Sequence, residues 1–243
     1  MNIYQNILLA KENGQKLLAI LIDPEKIEIE NIHSFIKLVH QSIATHIFVG
    51  GSTDKNNKIE AVVLEIKKYT MLPVILFPGD YTQVTPKADG ILFLSLISGR
   101  NPEYLIGQQI QSALIVNNSN LEVIPTGYIL IDGQKETAIE RISKTKPISQ
   151  NNSELILKTA LAGQFSGKKV MYLEAGSGSI IPVDTSIISN LKNELQIPLI
   201  VGGGIRNIDQ LKKAYEAVAD LVVIVTAFKK DLSFFNKIKK HYK

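Results

Sequence analysis

Eight short apolar runs recur along this 243-residue chain, and they restrict its fold more than any other feature. They lie at 17–22 (LLAILI), 46–50 (HIFVG), 73–77 (PVILF), 90–96 (GILFLSL), 122–131 (EVIPTGYILI), 169–174 (KVMYLE), 198–202 (PLIVG) and 221–226 (LVVIVT). Their almost continuous apolar character is that of parallel strands buried on both faces, since a half-solvated strand would alternate. Amphipathic segments separate most of them. Ile208, Leu211, Tyr215 and Val218 repeat at helical spacing, with Asn207 as an N-cap and Gln210 three residues on as its partner. Leu155, Thr159 and Ala162 mark another helix, and Ile187, Ile188 and Leu191 a third. Between the third and fourth runs, PGDYTQVTPKAD holds two prolines and no helical period, so a loop or single turn is expected there. This alternation predicts an α/β protein, a β/α barrel. A doubly wound sheet gives the same alternation. No linker, low-complexity tract or repeat divides the chain, so residues 1–243 are expected to form one domain.

A hydrophobic content of 45% against 21% charged residues supplies a core for such a barrel. The net charge of +4 owes much to the end of the chain, KK at 229–230 and NKIKKHYK at 236–243. That segment reads as a solvated helical tail. Nucleic-acid binding is not expected, because a basic face interleaved with aromatics is missing. A basic exterior suits anionic substrates or an anionic membrane surface. The chain has no cysteine, which excludes disulfides and thiolate chemistry. Lys11 to Gly14 interrupt the N-terminal apolar run as no secretory signal does, and no apolar stretch is long enough to span a bilayer, so a cytoplasmic location is expected. His33, His40, His46 and His241 form no metal-binding pair, and surface or core roles are expected for them.

The informative residues cluster where strands stop. Strand one ends in IDP (Asp23), strand two in VGGS (Gly50, Gly51, Ser52) and strand six in EAGSGS. Strand seven ends in VGGGIR (Gly202 to Gly204) and strand eight in VTAF. A barrel gathers these ends on one face, the face that holds the active site. Glycine there lets backbone N–H groups approach a phosphate, with the next helix directing its positive end at the same point. Glycine-rich turns also simply join strands to helices. Asp23 with Ser52 suits a hard cation such as Mg²⁺, which needs one or two protein oxygens when substrate phosphates complete its shell. Asp23 before Pro24 equally reads as a turn or helix cap, and the spacing leaves both open.

At these loops the sequence resembles the geranylgeranylglyceryl phosphate synthase family, which includes the heptaprenylglyceryl phosphate synthases. The matching stretches are IDP, VGGS, LSLISGRNPEYLIG at 94–107, PTGYILIDG at 125–133, YLEAGSGS at 172–179 and VGGGIR, within a match from about residue 16 to about 230. The resemblance implies a modified TIM (β/α)8 barrel whose helix after strand 3 is replaced by a loop or strand, in agreement with the missing helical period there. It also implies a reaction: sn-glycerol 1-phosphate attacks carbon 1 of a polyprenyl diphosphate, expectedly geranylgeranyl, to form an ether and expel diphosphate. It implies Mg²⁺ on Asp23 and Ser52. It further implies a glycerol-phosphate loop of Tyr172, Leu173, Glu174, Ala175, Gly176, Ser177 and Gly178, phosphate contacts at Gly203 and Gly204, and a last contact at Val225 and Thr226. Glu174, with Tyr172 in the same loop, is the catalytic candidate, because a carboxylate that takes the hydroxyl proton assists bond formation. Homo-oligomers and transient contact with a membrane surface are also implied. The match departs at Val225, where the family has glycine, at Lys229, where it has an acid, and at Asn151 or Asn152, where it has a lysine. Val225 is expected to crowd the phosphate and resist a positive φ. These departures motivate an alternative reading, an altered or catalytically impaired phosphate-binding barrel. A sugar-phosphate isomerase-like barrel is a third reading that would not need SGRNPEYLIG.

Overall fold

The computed structural model describes residues 2–54 and 56–225. Every apolar run is a strand: β1 (Leu17–Ile22), β2 (His46–Val49), β3 (Val74–Leu76), β4 (Gly90–Leu96), β5 (Glu122–Leu130), β6 (Val170–Glu174), β7 (Leu199–Gly202) and β8 (Leu221–Val225). All pairings are parallel, and β1 pairs with both β2 and β8, so the sheet closes into a barrel. The closure explains the uninterrupted apolar runs. Leu17, Ala19 and Leu21 of β1 pack inside the barrel with Phe48, Ile75 and Tyr172. Leu18, Ile20 and Ile22 pack outward against the helical layer with Ile36, Val63 and Leu211. Alternate side chains thus enter two different cores, and neither set has water to face.

The helices are α1 (Ile3–Glu12), α2 (Ile32–Val39), α3 (Ile59–Lys67), α4 (Gln108–Asn117), α5 (Ala138–Ser143), α6 (Ser153–Phe165), α7 (Thr185–Glu194) and α8 (Ile208–Glu216). α1 buries Ile3, Ile7 and Ala10 in the barrel's interior cluster beside Leu17 and Leu221, which begin their strands. The Tyr4 N–H donates to Glu122 at 2.7 Å, a carboxylate set against the positive end of this helix. The N-terminal end of the barrel is therefore plugged, and the opposite end is left for ligands. Between β3 and β4 the only regular element is one 3-10 turn, Tyr81–Gln83, as the two prolines of that segment predict.

Three helical details differ from the sequence reading. α7 buries Ile187, Ile188 and Leu191 as expected. α6 instead buries Ile156, Ala160 and Gly163, one position on from the expected Leu155, Thr159 and Ala162. LILKTALAG is apolar around most of its circumference, and the face is decided by Gly163, where a Cβ would press on Ile97 and Met171. Asn207 does cap α8 by accepting the Gln210 N–H at 2.8 Å. The Gln210 side chain, however, accepts from the Arg206 N–H instead of returning to Asn207. α8 stops at Glu216, and Val218 lies beyond it with φ of 64°. Thr226, Lys229, His241 and the basic tail lie outside the described residues. Among the described residues no helix is long and apolar enough to cross a membrane.

Candidate active site

A cavity open to solvent occupies the C-terminal mouth of the barrel. Its polar part is lined by Asp23, Gly50, Gly51, Ser52, Glu174, Gly176 and Ser177, with Val225 at its edge. From there it runs on over Leu94 and Leu96 to Ile91, Phe93, Gln109 and Ser112. Leu94 and Leu96 belong to the barrel interior, whereas Ile91 and Phe93 belong to the layer outside the sheet. The cavity therefore leaves the barrel mouth and continues between the sheet and α4, through the gap where a helix after β3 would otherwise pack.

Glu174 ends β6 and is only 5% exposed. Burial pushes its carboxyl up to about 7, because a charge out of water is disfavoured. The Gly176 N–H, which donates to Oε1 at 2.7 Å, opposes that shift, as does the neighbouring Tyr172 hydroxyl. The Tyr172 hydroxyl is itself buried without a partner in hydrogen-bond geometry, although it lies beside the carboxylate. A Cβ at Gly202 would come within 2.4 Å of that hydroxyl and 2.8 Å of Glu174 Oε2, so the bare backbone of β7 admits both groups. Gly203 (φ 80°) is more constrained, since a Cβ there would lie 2.4 Å from Glu174 Oε1 and 2.5 Å from the Gly176 nitrogen.

Asp23 is buried at 9% exposure and serves its turn as well as the cavity. Its Oδ1 accepts the Glu25 N–H at 3.1 Å, and Oδ2 pairs with the Lys26 ammonium. A Cβ at Gly51 would come 2.9 Å from Oδ1, so glycine brings the second loop onto this carboxylate with Ser52 next to it. Gln83, fully buried, clamps that loop. Its Nε2 donates to the Gly51 carbonyl at 3.0 Å, and its Oε1 accepts from the Gly51 and Gly79 N–H groups. The single turn that replaces a helix thus positions the VGGS loop. One carboxylate beside one hydroxyl is a hard-oxygen donor set that fits Mg²⁺ when a ligand supplies the remaining oxygens. Among the described residues no group of three or more His, Asp or Glu could hold a metal unaided.

The structure brings Asp23, Ser52, Glu174, Gly176, Ser177 and Val225 to one cavity. Tyr172, Gly203 and Gly204 stand directly behind it. Gly204 (φ 72°) packs against the buried Ser179 hydroxyl, which has no hydrogen-bond partner. Leu173 and Ala175 are buried in the layer outside the sheet, and Gly178 lies beside the Lys135 ammonium. Val225 is the last residue of β8, paired with Leu21, and its backbone is not among those with positive φ. The expected conflict with a left-handed backbone is absent, because a strand position suits a branched side chain. Asn152 accepts the Leu155 N–H as the N-cap of α6, and neither Asn151 nor Asn152 lines the cavity. Among the described residues no histidine lines it either. His46 is buried with its ring held neutral, its pKa lowered to about 4 by burial, and His33 stacks on Tyr69.

Sequence reasoning assigned no role to Phe77, Tyr104, Gln109, Tyr128 or Thr137, all of which line the cavity. Phe77 opens FPGD at the end of β3, a strand-end motif like the others, and its position was the available signal. Thr137 begins TAIE, a capping box that is present at α5, and its methyl occupies the space that a side chain at Gly176 would need. Tyr104 sits in a π-helical turn, Glu103–Gly107, which nothing in the residue pattern announces.

A family model described as the PcrB family matches residues 11–241. The chain is 60% identical over 222 residues to a geranylgeranylglyceryl phosphate synthase of Zunongwangia profunda, covering 91% of this chain and 94% of that protein. It is 56% identical over 234 residues to the protein of the same name from Flavobacterium johnsoniae, covering 96% of each. Among solved structures, (S)-3-O-geranylgeranylglyceryl phosphate synthase from Thermoplasma acidophilum, in complex with its substrate sn-glycerol-1-phosphate, superposes with a TM-score of 0.92. That pair is 32% identical and covers 99% of this chain and 98% of the other. A thiamine phosphate pyrophosphorylase from Pyrococcus furiosus, 14% identical with a TM-score of 0.57 over 96% of each chain, shares the barrel alone. From its cavity, its loops and this near-complete match, the chain belongs to the PcrB family.

Proposed function

We propose that this protein joins sn-glycerol 1-phosphate to a polyprenyl diphosphate, geranylgeranyl diphosphate in the first instance, to form an ether-linked prenylglyceryl phosphate with release of diphosphate. The observation behind this reading is one buried carboxylate, Glu174, in a cavity polar at one end and apolar at the other. Relatives at 56% and 60% identity bear the corresponding name. The glycerol phosphate takes the Glu174–Ser177 loop, with Gly203 and Gly204 behind it. The prenyl chain follows Leu94, Leu96, Phe93 and Ile91 out toward α4.

Asp23 and Ser52 would hold Mg²⁺, which when bound would neutralise charge on the departing diphosphate. The Lys26 ammonium, which pairs with Asp23 and lines the cavity, would be available to the diphosphate. As the glycerol hydroxyl oxygen bonds to carbon 1, the bond from that carbon to diphosphate breaks and the hydroxyl proton passes to Glu174. A carboxyl titrating at about 7 is well matched to that transfer near neutrality. The Gly176 N–H fixes the orientation of the carboxylate.

The reaction belongs in the cytoplasm, with the product passing to a membrane surface by transient contact. We also read the protein as a homo-oligomer. Ile106, Ile110 and Leu114, four residues apart along α4 and the turn before it, are 55%, 63% and 76% exposed, and such contiguous apolar surface marks interfaces.

The test is to incubate purified protein with labelled sn-glycerol 1-phosphate, Mg²⁺ and prenyl diphosphates of several lengths, then extract lipid. Organic-soluble product is expected, and Glu174→Gln should lower kcat by about 100-fold or more with the circular dichroism spectrum unchanged. No lipid product with any donor, or full turnover by Glu174→Gln, would overturn this reading.

A further inference from the structure

Phe77 follows β3 directly and lines the cavity. Its carbonyl oxygen is 1.9 Å from where a Cβ of Gly50 would stand, so its main chain abuts the Gly50–Ser52 turn. Its ring stacks on Tyr172 with centroids 5.1 Å apart and planes at 21°, and Tyr172 precedes Glu174 by two residues on β6. Tyr128 completes the group, 5.9 Å from Phe77 and 5.3 Å from Tyr172. Phe48 lies farther off, 6.4 Å from Phe77. Phe48 and Tyr172 are fully buried, whereas Phe77 and Tyr128 border the cavity, and Phe77 is the more exposed of the two. Burial and the nearby Glu174 hold the Tyr128 and Tyr172 phenols well above their ordinary range, so both stay neutral. Uncharged aromatic rings therefore border the cavity between Asp23 on one side and Glu174 on the other.

Breaking an allylic carbon–oxygen bond spreads positive charge over the allyl unit. A full anion in contact with that unit would compete with the glycerol hydroxyl as a nucleophile. An aromatic face attracts the charge through its quadrupole and forms no bond. We propose that Phe77, with Tyr128 beside it, is a catalytic residue that stabilises the developing allylic cation. The inference rests on the reading above, in which diphosphate leaves toward Asp23 and Ser52 and Glu174 receives the proton. The electron pair of the broken bond departs with the diphosphate, an oxygen pair of the glycerol hydroxyl forms the ether, and the ring remains covalently unchanged.

Phe77 could instead simply support the prenyl chain, which would appear in KM. Site-specific replacement by 4-fluoro-, 3,5-difluoro- and 3,4,5-trifluorophenylalanine separates the roles, since fluorine drains the ring face while changing its shape little. With geranylgeranyl diphosphate, the single-turnover rate should fall stepwise, by about tenfold at the trifluoro ring, while KM and the unfolding midpoint stay constant. Phe77→Leu should lower the rate by about 30-fold or more, and Phe77→Tyr should retain most of it. A rate that is flat across the fluorinated series, or an effect confined to KM, would overturn the proposal. If Glu174→Gln is inactive and the series is flat, only the role of Phe77 falls. If Glu174→Gln stays active and the series is steep, the aromatic role stands and the base assignment falls. A wild-type protein that forms no lipid overturns both.

Discussion

Glu174 illustrates what a catalytic carboxyl takes from the fold around it. Its folded pKa, about 7, lies above the usual 4.5 because burial disfavours the charge. Two consequences follow at this residue. Activity needs the ionised form, so kcat/KM should rise with pH through about 7, and a profile flat from pH 6 to pH 8 would count against Glu174 as the base. Stability runs the other way. Between the unfolded and folded pKa values the native state binds the proton that the unfolded state has lost. The stabilisation is therefore complete below about 4.5 and is lost as pH rises through about 7, a span worth up to ~3 kcal/mol. Glu174→Gln should abolish this dependence, so urea unfolding should find the variant gaining on the wild type as pH goes from 5 to 8. A constant difference between the two would refute the linkage. Gly203 is the second constrained residue. With φ of 80° and a would-be Cβ 2.4 Å from Glu174 Oε1, Gly203→Ala should destabilise by roughly 1–3 kcal/mol and raise KM for glycerol phosphate, as read by unfolding and steady-state kinetics.

At the scale of elements, the segment after β3 has the largest effect. Two prolines and a lack of helical period leave one 3-10 turn there, and that turn does two things. It clamps the VGGS loop through Gln83, and it opens the outer face of β4 to the cavity. α8 shows a boundary that periodicity misjudges. Its N-terminus is set by Asn207, but Val218, which continues the helical spacing in sequence, takes φ of 64° past the helix end, a position usually held by glycine. A branched side chain is strained there. Val218→Gly should raise stability by about 1 kcal/mol in chemical denaturation, with activity unchanged, and a loss of stability would mean that the Val218 side chain contributes packing that outweighs the strain.

For the whole molecule, α4 presents an exposed apolar stripe among the described residues. α4 lines the cavity with Gln109 and Ser112 and turns Ile110 and Leu114 outward. If that stripe is an interface between copies, Leu114→Glu should shift the protein to a smaller species in light scattering while each barrel keeps its circular dichroism spectrum. An unchanged mass would exclude this face as the contact.

The barrel itself was legible in the residues because both faces of every strand are buried, and that requirement writes an uninterrupted apolar run wherever a strand lies. Strand-end glycines were legible for the same kind of reason, since only glycine permits the close approaches at Gly50, Gly203 and Gly204. The inward face of α6 was not, because LILKTALAG is apolar nearly all round and only contact with Ile97 and Met171 selects one side. Nor was the aromatic group of Phe48, Phe77, Tyr128 and Tyr172, which comes from β2, β5, β6 and the residue after β3 and meets only across the barrel interior. The strands, the turn without a helix and the loops that gather at one end follow from the order of the residues. The tertiary structure alone decided the environment of Glu174, because a pKa near 7 arises from the water excluded around a group, and that exclusion exists only once distant strands have closed over it.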